Sequence, residues 1–242
     1  ATSAQQVITF IDTTAPEFTS VPGDYTTECS NELVLDLATA SDLCAETTVT
    51  IEEVSTDGDC PNEYTLTRTF TATDECGNAS SATQVITIVD TTAPEFTFLP
   101  ADFTAECSDI LSLEEATATD NCGSVEISME ESSANDTDCP QAYVLTRVFT
   151  ATDLCGNATS ATQTITVVDT TAPVFDQYEN FEIVACDFLT DPNDPTQLAL
   201  NAEDNCGEIT YSVNSSLMSG GCLGVWMRIW TATDDCGNFS TV

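Results

Sequence analysis

Residues 151–173 read ATDLCGNATSATQTITVVDTTAP, and residues 72–94 read ATDECGNASSATQVITIVDTTAP. A third copy of the second half, ATSAQQVITFIDTTAP, fills residues 1–16. Within each copy, QTITVV, QVITIV or QVITFI alternates apolar with polar residues and is rich in Val, Ile and Thr, the composition of a half-buried strand. The Cys-Gly-Asn words ahead of two of these strands are turn-forming. The stretch therefore reads as turn, strand and linker, and its recurrence makes the chain a tandem repeat.

Asp-Thr-Thr-Ala-Pro begins at Asp12, Asp90 and Asp169, which sets the period and the expected boundaries. Residues 1–11 are the final strand of a preceding repeat or a donor strand. Residues 12–89 and 90–168 are the first and second repeats, and 169–242 is a third repeat lacking most of its final strand. Units this small bury little core and often need a further constraint. Twelve cysteines supply it, four per period and in register with it: Cys29, Cys44, Cys60 and Cys76; Cys107, Cys122, Cys139 and Cys155; Cys186, Cys206, Cys222 and Cys236. They are too widely spaced for the close pairs of zinc modules, and there is no histidine, so disulfides formed in an oxidising, extracellular compartment are the reading.

YVLTRVFTATD (143–153) shows the same alternation, and no segment carries a helical apolar stripe. Short strands at regular spacing with turn residues between them indicate an all-β chain of tandem immunoglobulin-like β-sandwich repeats, disulfide-stapled and arranged as an elongated rod. In the second repeat the expected strands are 95–107, interrupted by Pro100, then 111–120, 124–132, 142–152 and 159–168. Tyr143, Leu145, Phe149 and Ala151 share one parity and face the core. Arg147 shares it, as do Arg68 and Arg228 in the other repeats, so each arginine is read as structural and paired with a carboxylate. Strand direction places Cys107 and Cys139 at the lower end of the repeat and Cys122 and Cys155 at the upper end. The expected pairs are first to third and second to fourth: Cys29–Cys60, Cys44–Cys76, Cys107–Cys139, Cys122–Cys155, Cys186–Cys222 and Cys206–Cys236.

The charge narrows the partners. There are 41 acidic and three basic residues, for a net charge of −38. Nothing here neutralises phosphates, which excludes nucleic acid and anionic membrane surfaces, and no apolar run is long enough to insert in a membrane. Self-repulsion on this scale calls for cations. The linker, the loop between the second and third strands and the last hairpin loop share the upper end. They gather Asp12, Asp42 and Asp74 in the first repeat, Asp90, Asp120 and Asp153 in the second, and Asp169, Asp204 and Asp234 in the third. Three converging carboxylates form an oxygen site of the kind calcium takes, with Glu28, Asp57 and Asp59 of the preceding lower end nearby. The competing reading is that each Asp caps a turn. Asn78, Asn157 and Asn238 stand in N-glycosylation sequons, against a plain Gly-Asn turn, and Thr13, Thr91 and Thr170 follow Asp in a weaker O-glycosylation pattern.

TATDNCG, TATDLCGN and VVDTTAP resemble the hyalin-repeat (HYR) family, immunoglobulin-like modules of large extracellular proteins, and are most similar to its cysteine-rich form in Bacteroidetes surface proteins. The resemblance implies a β-sandwich, a secreted or cell-surface location, an adhesive or spacer role and no catalytic residues. The third repeat departs from the pattern, with DQYENFEIVAC in place of PADFTAEC and a longer first gap between cysteines.

These readings converge on a structural or adhesive extracellular rod or filament segment of calcium-stabilised repeats. The alternative is a carbohydrate- or ligand-binding or spacer module of a large secreted protein. The tryptophans argue against carbohydrate, because Trp226 and Trp230 match Leu66 and Phe70, positions read as core. An enzyme is not expected, with neither histidine nor lysine present. Cell-surface or matrix ligands remain open as partners. The ends suggest a window on a longer array, or a donor strand in residues 1–11 completing the third repeat of a neighbour. Either way, further copies follow head to tail in a fibre.

Overall fold

The computed structural model describes residues 4–109, 111, 113–176, 200–219 and 225–242. The described residues form strands and no helix. In the first repeat the strands are β1 (Glu17–Ser20), β2 (Tyr25–Glu28), β3 (Thr39–Ser41), β4 (Thr47–Asp57), β5 (Tyr64–Asp74) and β6 (Ala79–Val89). The second repeat runs β7 (Glu95–Phe98), β8 (Phe103–Glu106), β9 (Thr117–Thr119), β10 (Val125–Asn135), β11 (Tyr143–Asp153) and β12 (Ala158–Val168). The third contributes β13 (Val174–Phe175), β14 (Ala202–Glu203), β15 (Ile209–Ser219), β16 (Val225–Asp234) and β17 (Phe239–Thr241).

Each of the first two repeats is a lopsided sandwich. β4, β5 and β6 form an antiparallel meander, and β2 adds to it in parallel along β6; β1 and β3 make a separate two-stranded sheet. The second repeat repeats the plan, with sheets β10-β11-β12-β8 and β7-β9. The third shows β15-β16-β17 and β13-β14. The chain divides into two compact units whose border runs through the second repeat. One is Ala1–Thr97 with Ala118–Ile127 and Ala151–Thr159; the other is Phe98–Thr117 with Ser128–Thr150 and Ser160–Val242.

The alternation read from the sequence is the alternation of burial. Arg68, Phe70, Ala72 and Asp74 are buried along β5, as are Gln84, Ile86 and Ile88 along β6, while the threonines between are half-buried. Pro100 does split the first long strand, and the halves β7 and β8 enter different sheets. A proline offers no N–H to a ladder, which makes it a natural point for a strand to change sheets. The expected strand at 111–120 shrinks to β9, and Leu113 is exposed. Trp230 is buried as expected, but Trp226 is 45% exposed and does not take the core position assigned to it.

The buried arginines pair as expected. Arg68 Nε donates to Glu53 Oε1 at 2.9 Å, and its Nη1 donates to Gln84 Oε1 and the Asp36 carbonyl at 2.9 and 2.8 Å. Arg147 does the same with Glu131, Gln163 and the Glu114 carbonyl at 3.0, 3.0 and 2.9 Å. Gln84 and Gln163 then donate to the carbonyls of Gly23 and Ala101. Each hub ties the four-stranded sheet to the irregular segment that covers it.

The disulfides overturn the expected pairing. Four bonds are described, Cys29–Cys122, Cys60–Cys155, Cys107–Cys206 and Cys139–Cys236, with Cα separations of 5.7, 5.1, 6.1 and 4.3 Å. Cys29–Cys60, Cys44–Cys76, Cys107–Cys139, Cys122–Cys155 and Cys206–Cys236 are therefore not formed, and Cys44 and Cys76 are free. The remaining expectation, Cys186–Cys222, lies outside the described residues. Every observed bond joins a lower-end cysteine to an upper-end cysteine of the next repeat. The assignment of cysteines to ends was right, but the partners cross the junction. Cys29 is held at the close of β2 by donation to the Val89 carbonyl, beside the linker that leads into the second repeat. Cys60 sits in the β4–β5 turn, where Glu63 reaches the same linker through the Asp90 amide at 3.3 Å. Each bond closes a loop of 93 to 99 residues, worth about 4.6 kcal/mol alone in the chain-entropy model. Because the loops overlap, their contributions do not add.

Candidate functional site

The linker Asp-Thr-Thr-Ala-Pro is built as a turn and then anchored. The Asp carboxylate accepts from the amide two residues on: Thr14 to Asp12 at 3.0 Å, Thr92 to Asp90 and Thr171 to Asp169 at 3.3 Å. Pro16, Pro94 and Pro173 are fully buried. The linker carbonyls of Asp12, Asp90 and Asp169 accept from the side-chain amides of Asn78, Asn157 and Asn238 at 3.3, 3.0 and 3.1 Å. The preceding repeat grips the same linker. Glu28 accepts from Thr91 through both its amide and its hydroxyl, and Glu106 does so with Thr170.

The last hairpin loop reaches the linker through a second Asp. Asp74, Asp153 and Asp234 each accept from the amide and the side chain of the Asn four residues on, at 2.8–2.9 Å. A positive φ at Gly77, Gly156 and Gly237 lets the chain turn between them. The turn-capping reading is therefore correct for these three aspartates. Asp42, Asp120 and Asp204 in the remaining loop each use one oxygen to accept from the amide of Cys44, Cys122 or Cys206, at 2.7–2.8 Å.

Capping does not use up the charge. Oδ2 of Asp12, Oδ2 of Asp120, Oδ2 of Asp169 and Oδ1 of Asp204 are buried with no hydrogen-bond partner. A buried carboxylate oxygen without a donor is costly, and it sits here among like charges. Burial first, then repulsion from Asp120, Asp153 and Glu28, pushes the Asp90 carboxyl above the usual carboxylate range. Burial and then Asp234, Asp204 and Glu106 do the same to Asp169. The caps shift the other way. The Asn78 amide is the main cause for Asp74, whereas burial opposes the shift at Asp153 but is outweighed by donors from Asn157, Cys155 and Gly156.

The aspartates expected to share an upper end are thus within electrostatic reach of one another: Asp90, Asp120 and Asp153; Asp169, Asp204 and Asp234; Asp12, Asp42 and Asp74 beside Cys76. Carboxylate oxygens of Asp90 and Asp153 lie within 4.8 Å of each other. In the second and third repeats the available donors are hard oxygens, since neighbouring Cys122, Cys155 and Cys206 are spent in disulfides, whereas Asp12 and Asp42 have the free thiol of Cys44 beside them. The residues fit a hard divalent cation held by the linker Asp and the unpartnered oxygen of the loop Asp, with the capping Asp adding charge. Of the lower-end acids, Glu28 reaches this group, while Asp57 and Asp59 are exposed.

Asn78, Asn157 and Asn238 donate both amide hydrogens within the upper end, so a glycan on any of them would have to sever a linker contact. A cleft of about 500 Å³ lies beside β8, lined by Asp102, Asp109, Glu114 and Gln163 among others. Among the described residues no helix is long and apolar enough to cross a membrane.

Residues 18–88 match the model of a family described as "HYR-like domain with 4 cysteines". That stretch is the first repeat from β1 to β6, and the resemblance read from its sequence is confirmed there. No curated protein matches the chain. Among solved structures it is similar to Drosophila N-cadherin EC1-4, at 16% identity over 94% of this chain and 74% of that one, with a TM-score of 0.32. It is also similar to human CDH23 EC21-23, at 15% identity over 95% and 99%, with a TM-score of 0.31.

Proposed function

We propose that the chain is a length of an extracellular structural or adhesive array, in which HYR-like repeats are coupled end to end by disulfides and by calcium at acidic junctions. The observation that carries this reading is the pairing of cysteines across both junctions, two bonds at each. A protein whose task resided in one repeat would gain nothing from stapling each repeat to the next. Paired staples suit a chain that bears load or holds its repeats in fixed succession. The junction acids suit a cation that such a chain draws from its surroundings, where calcium is plentiful outside cells.

Calcium is expected to raise the melting temperature, while sodium chloride at matched ionic strength gives no comparable rise. At a free concentration a hundredfold above its dissociation constant the gain is about 2.7 kcal/mol per site, or about 5–10 °C for a chain of this size. Asp120→Asn keeps an acceptor for the Cys122 amide but removes the unpartnered anion. It should match or exceed the parent in EDTA and lose much of the calcium increment. Equal rises in calcium and sodium would remove the specific site. Acid supplies a second arm. Asp90 and Asp169 have raised folded pKa values, so their protonation favours the fold at low pH and that contribution is lost as pH rises through the folded values. Calcium and protons compete for the same carboxylates, and the increment should shrink as pH falls into the carboxylate range. The lowered values of Asp74 and Asp153 act oppositely, adding stability above the unfolded pKa that is lost on acidification.

A further inference from the structure

Each upper-end cysteine that closes a junction lies two residues after an aspartate of the acidic group and donates its amide to that carboxylate. Cys122 donates to Asp120 at 2.7 Å and Cys155 to Asp153 at 2.8 Å; Cys206 donates to Asp204 and Cys236 to Asp234, both at 2.8 Å. The sulfurs of the same residues run to Cys29, Cys60, Cys107 and Cys139 of the preceding repeat. One short turn therefore holds a carboxylate through its amide and a staple through its side chain.

The far ends of the staples are flanked by acids that grip the linker. Glu28 precedes Cys29 and accepts from the Thr91 amide at 3.2 Å, and Glu106 precedes Cys107 and accepts from the Thr170 amide at 3.1 Å. Sulfur and oxygen are close throughout. Carboxylate oxygens of Asp90 lie within 4.8 Å of Cys122 Sγ and of Cys155 Sγ, and one of Asp169 lies within 4.8 Å of both Cys107 Sγ and Cys206 Sγ. Asp169 is only 7% exposed and keeps one oxygen without a hydrogen-bond partner, so the group includes a buried anion that no donor of the chain satisfies.

Resting on the calcium reading, we propose that the cross-junction disulfides position the carboxylates of the cation site, so that calcium and staple are thermodynamically coupled. Calcium shifts each disulfide toward its oxidised state, and each disulfide tightens calcium. Cutting Cys29–Cys122 frees the Asp120 turn from the preceding repeat, and calcium must then order that turn as it binds. The coupling is reciprocal by necessity: the factor by which reduction weakens calcium equals the factor by which calcium disfavours reduction. A factor of about ten per staple lies within the usual range for coupled sites, and for a two-electron couple it corresponds to about 30 mV.

Reduction balances with glutathione as the electron donor. One glutathione thiolate attacks a junction sulfur, forming a mixed disulfide and expelling the other cysteine as a thiolate. A second glutathione thiolate attacks the mixed disulfide and leaves as oxidised glutathione. The two protein thiolates take up the two protons that the glutathiones gave up. Calcium also screens the acids that repel an incoming glutathione anion, which quickens exchange without moving its end point. Equilibrium populations, not rates, therefore report the coupling.

The test is to equilibrate the full chain in graded mixtures of reduced and oxidised glutathione, with saturating calcium chloride or with EDTA and sodium chloride at equal ionic strength. Differential alkylation and mass spectrometry then read each cysteine separately. All four bonds should shift about tenfold toward the oxidised state in calcium. Asp120→Asn keeps the acceptor for the Cys122 amide. It should abolish the shift at Cys29–Cys122 and Cys60–Cys155 and preserve it at Cys107–Cys206 and Cys139–Cys236. Asp204→Asn should do the reverse. General stabilisation of the fold would instead move all four bonds in both variants. No shift at any bond, or a shift that each variant alters alike at both junctions, overturns the proposal. Calorimetric titration of the oxidised chain with calcium chloride judges the calcium reading separately. Binding without a redox shift keeps that reading and rejects the coupling, whereas no binding rejects both.

Discussion

Stretched from its two ends, the oxidised chain is expected to reach only about 180 Å, against about 830 Å once its disulfides are reduced. The limit follows from covalent connectivity. A pulling force entering at the first residue passes along the chain to Cys29, crosses to Cys122, runs on to Cys139, crosses to Cys236 and leaves. That route contains about 50 residues at roughly 3.4–3.6 Å each when taut. All other residues hang in loops that carry no tension, so most of each repeat could unfold without the ends moving far apart. Pairing within repeats would give a different number. The route would then hold about 140 residues and reach nearly 500 Å. Single substitutions separate the staples further. Cys122→Ser forces the path through Cys60–Cys155 and lengthens it to about 80 residues, or roughly 280 Å, whereas Cys60→Ser leaves the limit where it was. Single-molecule extension with and without reductant reads these lengths directly, and an oxidised limit near 500 Å would reject the cross-junction staples.

The strands and the turns were legible for a local reason. Alternation along β5, β6, β11 and β12 is a property of neighbouring residues, and one buried face fixes it. The turn chemistry of Asp74, Gly77 and Asn78 is equally local. The ends to which the cysteines belong followed from strand direction, again one repeat at a time. What remained hidden was which repeat supplies the partner. Cys29 and Cys60 share an end, but β2 and the β4–β5 turn present them to the incoming loops of the next repeat rather than to each other. Pole membership is periodic and cannot tell a contact inside a period from one across it. Ser30 and Asn121 held a clue, since a polar pair flanking two cysteines a period apart fits an inter-repeat joint. The aspartates show a similar split. Their convergence was visible in the repeat register, while the division between a cap such as Asp153 and a carboxylate with an unpartnered oxygen such as Asp120 depends on individual hydrogen bonds.

Replacing Arg147 by Met should cost the second repeat about 1–3 kcal/mol, the range for leaving a buried acceptor without its donor. The guanidinium is nearly inaccessible, yet Glu131 is 40% exposed, so the ion pair itself contributes little through screened charge. The larger loss lies with the groups that face Arg147 from inside. Gln163 is buried and would lose the donor to its Oε1, and the Glu114 carbonyl would lose another. Arg147 also lies over the Phe149 ring at 4.9 Å, and a thioether would recover only part of that contact. Lysine should not rescue the site, because a single ammonium cannot reproduce the Nε and Nη1 directions at once. If unmet polar groups dominate, Arg147→Met combined with Gln163→Leu should be more stable than Arg147→Met alone, with a coupling above about 1 kcal/mol in a double-mutant cycle. Denaturant titration monitored at residues of β11 and β12 gives all three values. A single-variant loss below about 1 kcal/mol would mean that the hub is dispensable, and that the covering segment is held by the disulfides and the buried prolines instead.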